Sequence, residues 1–199
     1  REYIDPVRFI TNNSSGRQGY EIANSLAKSG IKTTLISGPS MLRKPQNVKV
    51  VTVETADEMY AETKKALPVN IAVCTAAVTD FKPDKYEEKK IKKDELSLHL
   101  KRNVDILEFL SKNNSVRPDL VVGFAAETND ILKFAKDKKN KKHCDWIIAN
   151  DVSNKKIGFN NEYNAVSILY DNKIEKIERN LKSQIATKIV KKIINHFIQ

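Results

Sequence analysis

Glycine, proline and cysteine are all sparse, at six, six and two among 199 residues. That excludes a collagen-like repeat, a low-complexity linker and a small disulfide-stapled scaffold. No apolar run approaches the roughly 18 residues of a membrane span. The longest, residues 69–78, is broken by Asn70 and Thr75, so a soluble protein with no membrane partner is expected. Aromatic residues make up only 7%, which leaves few platforms for stacking nucleic-acid bases. The three histidines, His99, His143 and His196, are scattered, and only His143 adjoins a cysteine. No catalytic triad or zinc site can be assembled from them, and no metal ligand is assigned. Cys74 and Cys144 sit in apolar stretches and read as buried reduced thiols, which indicates the cytoplasm. Nothing resembles a signal peptide, and because Arg1 is not a methionine an upstream segment is expected to be missing.

Positive charge, by contrast, is plentiful. Thirty-five Lys and Arg against 25 Asp and Glu give a net charge of +10. This permits a polyanionic partner, either nucleic acid or a phosphate-rich small substrate. A compositional preference for Lys, Asn and Ile explains the charge equally well. The length suits one sizeable core, so residues 1–199 are read as a single domain.

Apolar spacing at Ile22, Ala23, Leu26 and Ala27 predicts a helix over about 17–29, stopped by Gly30. "IKTTLIS" and "VKVVTVE" read as strands, and Thr55 with Glu58 forms a capping-box pattern opening a helix to about Leu67. "VNIAVCTA", "DLVVGFAAE" and "DWIIAND" are near-continuous apolar runs, as expected for strands buried on both faces. Between the first two lies a charged excursion, a flap at about 80–95, which ends in the alternating segment "LSLHLK" of a hairpin arm. Asn103 is expected to cap a short helix carrying Ile106, Leu107 and Leu110. A lysine-rich helix runs to about Lys142; "NAVSILYD" and "KIEKIE" follow as strands about a turn at Asn172. A final helix from about Lys182 repeats apolar residues at Ile185, Ile189, Ile193 and Phe197. The alternation predicts an α/β fold, a Rossmann-like three-layer sandwich with a mainly parallel sheet. Ligands in such folds lie beyond the carboxyl ends of the strands, here the loops after Ala76, Ala125 and Asn150, together with the opening loop.

That opening loop, "ITNNSSGRQGYEIA", runs through Ser15, Gly16 and Gly19 into a helix, an arrangement that suits a phosphate or an ordinary capped helix start. It matches neither the P-loop nor the three-glycine dinucleotide pattern. Asp80 stands just past a strand end, near Lys89, Lys90, Lys92 and Lys93, as a metal-bound triphosphate would require and as a solvated charged loop would also provide. Tyr86 and Lys90 have a Tyr-x-x-x-Lys dehydrogenase spacing, but in a loop where that chemistry uses a helix. Lys138 and Lys142, four apart, share a helical face that binds phosphate or faces water. Trp146 and Phe124 fall in predicted strands, where core packing is the default.

Several segments taken together, "REYIDPVRFITNNSSGRQGYEIANSLAKSGIKTTLISGPS", "TAAVTDFKPD", "KIKKDELSLHLKRNVDIL", "VVGFAAET" and "WIIANDVS…GFNNEYNAVSIL", closely resemble phosphopantothenate-cysteine ligase. In many bacteria that ligase is the C-terminal half of a bifunctional coenzyme A biosynthesis protein, so an N-terminal decarboxylase domain and a homodimer are implied as partners. The resemblance implies a two-step joining of 4'-phosphopantothenate and cysteine. An acyl-cytidylate forms from CTP with magnesium, and the cysteine amine then displaces CMP. It also implies residue roles. Asn12 matches the asparagine that holds the intermediate, and Lys90 the flap lysine that forms it. Arg8 matches an arginine reaching phosphopantothenate in the neighbouring subunit, and Ala76, Ala77 and Asp80 match positions around substrate and nucleotide. Phe124, Lys138 and Lys142 match nucleotide contacts, joined by Asn103, Asp105 and Ile106. The family's Asn-Pro-Asp is Asn103-Val104-Asp105 here, and loss of the preorganised proline is expected to loosen that loop. A basic nucleic-acid-binding module and a nicotinamide-dependent dehydrogenase are the alternatives; the ligase reading leaves nucleic acid no role.

Overall fold

Helix α1, Arg17–Lys28, buries Ile22, Ala23 and Leu26 along the one face that the spacing predicts. It ends where Gly30, at φ 80°, turns left-handed and donates its N–H to the Ala27 carbonyl. Helix α2, Ala56–Ala66, starts as expected, with the Thr55 hydroxyl accepting the Glu58 N–H at 3.2 Å and the Glu58 carboxylate accepting the Glu54 N–H at 2.8 Å. The computed structural model describes residues 1–112, 115–127, 130–151, 161–171 and 173–198. The expected turn at Asn172 and the loop following Asn150 and Asp151 lie outside them.

The central sheet has five strands. β5 (Ile71–Cys74), β8 (Leu120–Glu127) and β9 (Trp146–Asp151) are parallel neighbours, and β10 (Tyr163–Tyr170) and β11 (Lys173–Leu181) extend the sheet antiparallel from β9. Alternation along β8 and β9 sends Leu120, Val122 and Ile148 to one face and Val121, Ala125 and Ile147 to the other. The first face is covered by α1 and by α5, Lys182–Ile198, the second by α3, Ile106–Ser111, and α4, Ile131–Lys142. In α5, Ile185, Ile189 and Ile193 are fully buried, each burial contributing about 1.5–3 kcal/mol. Phe197, expected in the same stripe, is instead 46% exposed. It lies in the helix's last turn, edge-on to the neighbouring His196 ring.

β3 (Thr33–Ser37) and β4 (Val48–Thr52) pair parallel with each other but not with β5. A groove of about 1610 Å³ runs between the facing edges of β3 and β5, floored by Ile22 and Leu26 of α1 and flanked by Tyr60 and Thr63 of α2. This corrects the reading of "VNIAVCTA" as buried on both faces: every residue of β5 is only half-buried, because one edge of the strand opens on the groove.

The charged excursion folds as an arm on which β6, Phe81–Pro83, pairs antiparallel with β7, Leu100–Arg102. Of "LSLHLK", only its last two residues join that ladder. The arm rests on a small hairpin of the opening segment, β1 (Glu2–Tyr3) with β2 (Phe9–Ile10), where the Glu87 N–H donates to the Ile4 carbonyl at 3.0 Å. Tyr86 and Lys90 lie on the irregular part of the arm, away from any helix.

Candidate functional site

Gly16 opens α1 at φ 73°, a left-handed conformation that costs glycine little. Gly16 has no side chain to cap this helix, the first helical N–H, that of Arg17, is accepted by the Ser15 hydroxyl at 3.5 Å, and the first turn has no acidic residue; α2 and α3 are capped by Thr55 and Asp105. The dipole and the N–H groups of the first turn beyond Arg17 are thus left for an incoming anion. Two contacts set its position. A Cβ on Gly19 would lie 2.5 Å from the Thr75 hydroxyl, so only glycine lets the helix start approach the end of β5 this closely. Ser15 is tied by its carbonyl, which accepts the Ser40 hydroxyl at 3.3 Å. Gly19→Ala is expected to lower stability by about 1–3 kcal/mol through overpacking. Thermal unfolding with and without CTP checks this, with a reduced CTP-induced shift as the accompanying outcome.

Beyond β5 the chain turns through Ala76 and Ala77 to Asp80. Asn12 reaches across from the opening loop, its Nδ2 donating to the Val78 carbonyl at 3.1 Å. The Asn103 N–H donates to the Asp80 carbonyl at 2.9 Å, and its Nδ2 donates to the Thr79 carbonyl at 2.9 Å. Asn103 therefore does not cap α3. Asp105 does, accepting the Glu108 N–H at 2.8 Å. The Asn103 Oδ1 is buried with no hydrogen-bond partner among the described residues and lines the groove. Such an orphaned acceptor suits a ligand N–H.

At the far wall, Phe124 is half-buried on β8 and its carbonyl accepts the Lys138 ammonium at 3.0 Å. Lys142 pairs with Asp105 at 2.6 Å and Glu108 at 3.2 Å. Burial opposes the charge on Lys142, but hydrogen bonds and attraction from Asp105 and then Glu108 outweigh it and hold the ammonium above its ordinary pKa. Burial likewise raises the Asp105 carboxyl, while Lys142, the Glu108 N–H and Lys138 lower it further, for a net depression. The signs define a pH window. The depressed Asp105 contributes stability above its ordinary 3.8 that is lost as pH falls below it; the raised Lys142 contributes below 10.5, lost as pH climbs above it. A Lys142→Met variant is expected to lose stability between about pH 4 and 10 relative to wild type and to converge with it outside that window, as read by urea unfolding across pH.

The thiols play no part in this chemistry. Burial, with smaller contributions from Cys144 and Asp105, pushes Cys74 up to about 12, and burial pushes Cys144 up to about 11. Neither is a ready nucleophile.

The structure thus gathers Gly19, Ala76, Asp80, Asn103 and Asp105 with Ile106, Phe124, Lys138 and Lys142 in one groove that reaches the carboxyl ends of β5 and β8, with Asn12 bonded to Val78 of its lining and Ser15 and Gly16 immediately before α1. Lys90 is exposed on the arm. Arg8 is engaged within its own chain, with Asp5 and the Ile91 carbonyl. Sequence reasoning missed Asp5, Thr79 and Glu108. Only Asp5 left a signal, because Asp-Pro-x-Arg is a turn-forming pattern.

A sheet whose β5, β8 and β9 run parallel, with helices on both faces and polar groups converging at the carboxyl ends of those strands, defines a Rossmann-like α/β protein. Within that class, the chain belongs to the DNA/pantothenate metabolism flavoprotein C-terminal domain family, whose sequence model matches residues 1–197. It is 41% identical over 200 residues to the coenzyme A biosynthesis bifunctional protein CoaBC of Haemophilus influenzae, covering 99% of this chain and 50% of that one. The crystal structure of a CoaBC C-terminal domain superposes with a TM-score of 0.80 at 33% identity, over 97% of this chain and 88% of the other. The DNA/pantothenate metabolism flavoprotein of Streptococcus pneumoniae shares the fold, with a TM-score of 0.81 at 23% identity over 98% and 94%. The chain spans about half the length of the curated relatives it matches.

Proposed function

We propose that this chain carries the ligase step of coenzyme A biosynthesis, joining 4'-phosphopantothenate to L-cysteine at the expense of CTP. The observation that carries the reading is that the first turn of α1 through Gly19, Asn12 through its bond to Val78, and the lysines Lys138 and Lys142 all meet one groove at the carboxyl ends of β5 and β8. The phosphopantothenate carboxylate attacks the α-phosphorus of CTP and expels pyrophosphate. The cysteine amine then attacks the acyl carbonyl of the resulting acyl-cytidylate and releases CMP. Both steps need anions brought together, and the N-terminus of α1 supplies positive potential without a side-chain counter-ion. Asn12, docked on Val78, would present its amide to the acyl-cytidylate. Lys138 spends one of its three N–H donors on Phe124, leaving two for nucleotide oxygens. The orphaned Asn103 Oδ1 suits an exocyclic base amine.

Magnesium would arrive with the triphosphate. Asp105 and Glu108 are both engaged by Lys142, whereas Asp80 is an exposed carboxylate at the strand end. Asp80 is therefore the side chain fitted to complete the shell of a cation held mostly by phosphate oxygens. We place the reaction in the cytoplasm, in a homodimer that shares its site. The solvent-exposed Phe81, Leu98 and Leu100 on the arm offer a surface for such pairing. We also propose fusion to a decarboxylase domain, a reading supported by bifunctional relatives of which this chain covers 50%.

The test is pyrophosphate release with phosphopantothenate, cysteine and magnesium, comparing CTP with ATP. CTP-dependent release with formation of the amide product supports the reading. No release with either nucleotide from folded protein overturns it.

A further inference from the structure

Asp5 is fully buried in the small hairpin of the opening segment, and five donors converge on its two oxygens. Oδ1 accepts the backbone N–H groups of Val7 at 2.8 Å and Arg8 at 2.9 Å. Oδ2 accepts Arg8 Nε at 2.9 Å, Arg8 Nη2 at 2.5 Å and the backbone N–H of Ile91, on the arm, at 3.2 Å. Arg8 Nη2 also donates to the Ile91 carbonyl at 2.8 Å. Both backbone polar groups of one arm residue are therefore gripped by a single ion pair more than eighty residues away in sequence. A second tie, Glu87 to Ile4, holds the arm four residues earlier.

We propose that Asp5 is a positioning residue: with Arg8 it clamps the backbone at Ile91 and so fixes where the adjacent Lys90 enters the active site. The role assigned to Lys90 rests on the ligase reading; the clamp itself does not. A carboxylate is required because two backbone N–H groups and a guanidinium must all be accepted by one side chain, and an asparagine would replace one acceptor with a donor facing Arg8. Burial raises the Asp5 carboxyl, but the Arg8 guanidinium and the N–H groups of Val7, Ile91 and Arg8 outweigh it and keep it well below the usual carboxylate range. The Asp5 carboxylate therefore stays charged in neutral solution, and the ion pair with Arg8 does not depend on its titration there.

The arm carries its own reporter, because trypsin cleaves after Lys89, Lys90, Lys92 and Lys93 only when the backbone there opens. The experiment compares wild type, Asp5→Asn and Arg8→Lys as full chains, reading tryptic cleavage by mass spectrometry without substrates and CTP-dependent pyrophosphate release in parallel. Cleavage at 89–93 is expected to rise about tenfold in both variants, while cleavage after Lys28 and Lys65 stays at the wild-type rate. For Asp5→Asn, kcat for pyrophosphate release is expected to fall about 10²-fold, with KM for CTP within about twofold. Unchanged arm cleavage in folded Asp5→Asn overturns the clamp; should that variant not fold, Arg8→Lys decides by the same readout. Faster cleavage with kcat unchanged overturns the positioning of Lys90. Absence of pyrophosphate release from wild type would instead count against the ligase reading, while the tryptic pattern still judges the clamp.

Discussion

Replacing Lys90 with glutamine is expected to reduce CTP-dependent pyrophosphate release by about 10²–10³-fold, the loss typical of removing one donor from charge developing in a transition state. The unfolding temperature should not move. Lys90 is exposed, and among the described residues its ammonium makes no hydrogen bond or ion pair, so its removal takes nothing from the fold. Such a residue on a long arm costs little to keep and little to lose unless it acts on something outside the protein. Pyrophosphate release in a single turnover isolates the first half-reaction. Full activity in Lys90→Gln would show that the arm lysine has no part in it. The nucleic-acid alternative forecasts something different: one lost charge, weaker binding to every sequence and a salt slope shallower by about one.

The second large effect concerns stability. Ile189→Ala is expected to cost about 2–5 kcal/mol, as transfer and cavity penalties add at a site that cannot collapse. Ile189 is 0% exposed and belongs to the cluster in which α5 meets Leu120, Val122 and Ile148 of the central strands. The urea midpoint should fall with the slope unchanged. A loss below about 0.5 kcal/mol, the level of an ordinary surface substitution, would mean that α5 is not packed as described. Because α1 lies against the same cluster, loosening α5 should also weaken nucleotide binding at the start of α1.

These two sites differ in how readily sequence reveals them. Ile185, Ile189 and Ile193 recur at the helical period, and burial follows from spacing alone. The runs of β8 and β9 were equally legible, because strands covered on both faces must be apolar throughout. β5 has the same composition, but composition cannot report whether a neighbouring strand is present, and among the described residues this strand is paired on one edge alone. Asn103 and Asp105 are both good N-caps two residues apart. The choice between them was settled by Thr79, a tertiary contact that attracts the Asn103 amide. Asp5 was the least legible, because in "DPVR" it reads as a local turn and its bond to Ile91 spans 86 positions. The strand-end rule could bring together the opening loop and the loops after Ala76 and Ala125, but the choice of Asn12, Asp80, Phe124 and Lys142 within that region came only by resemblance, since loops far apart in sequence carry no periodicity to link them.

The groove between β3 and β5 bears on how this chain behaves in a test tube. Among the described residues β3 pairs with β4 alone and β5 with β8 alone, so the groove is bordered by two strand edges onto which an extended segment can add. Mutual repulsion from a net charge of +10 keeps copies apart in dilute buffer. Salt shortens the reach of that repulsion to about 10 Å at 0.1 M. Where those edges stay open, charge alone opposes strand addition and aggregation should increase with ionic strength; a strand seated in the groove, from this protein's own sequence or from another chain, would abolish that dependence.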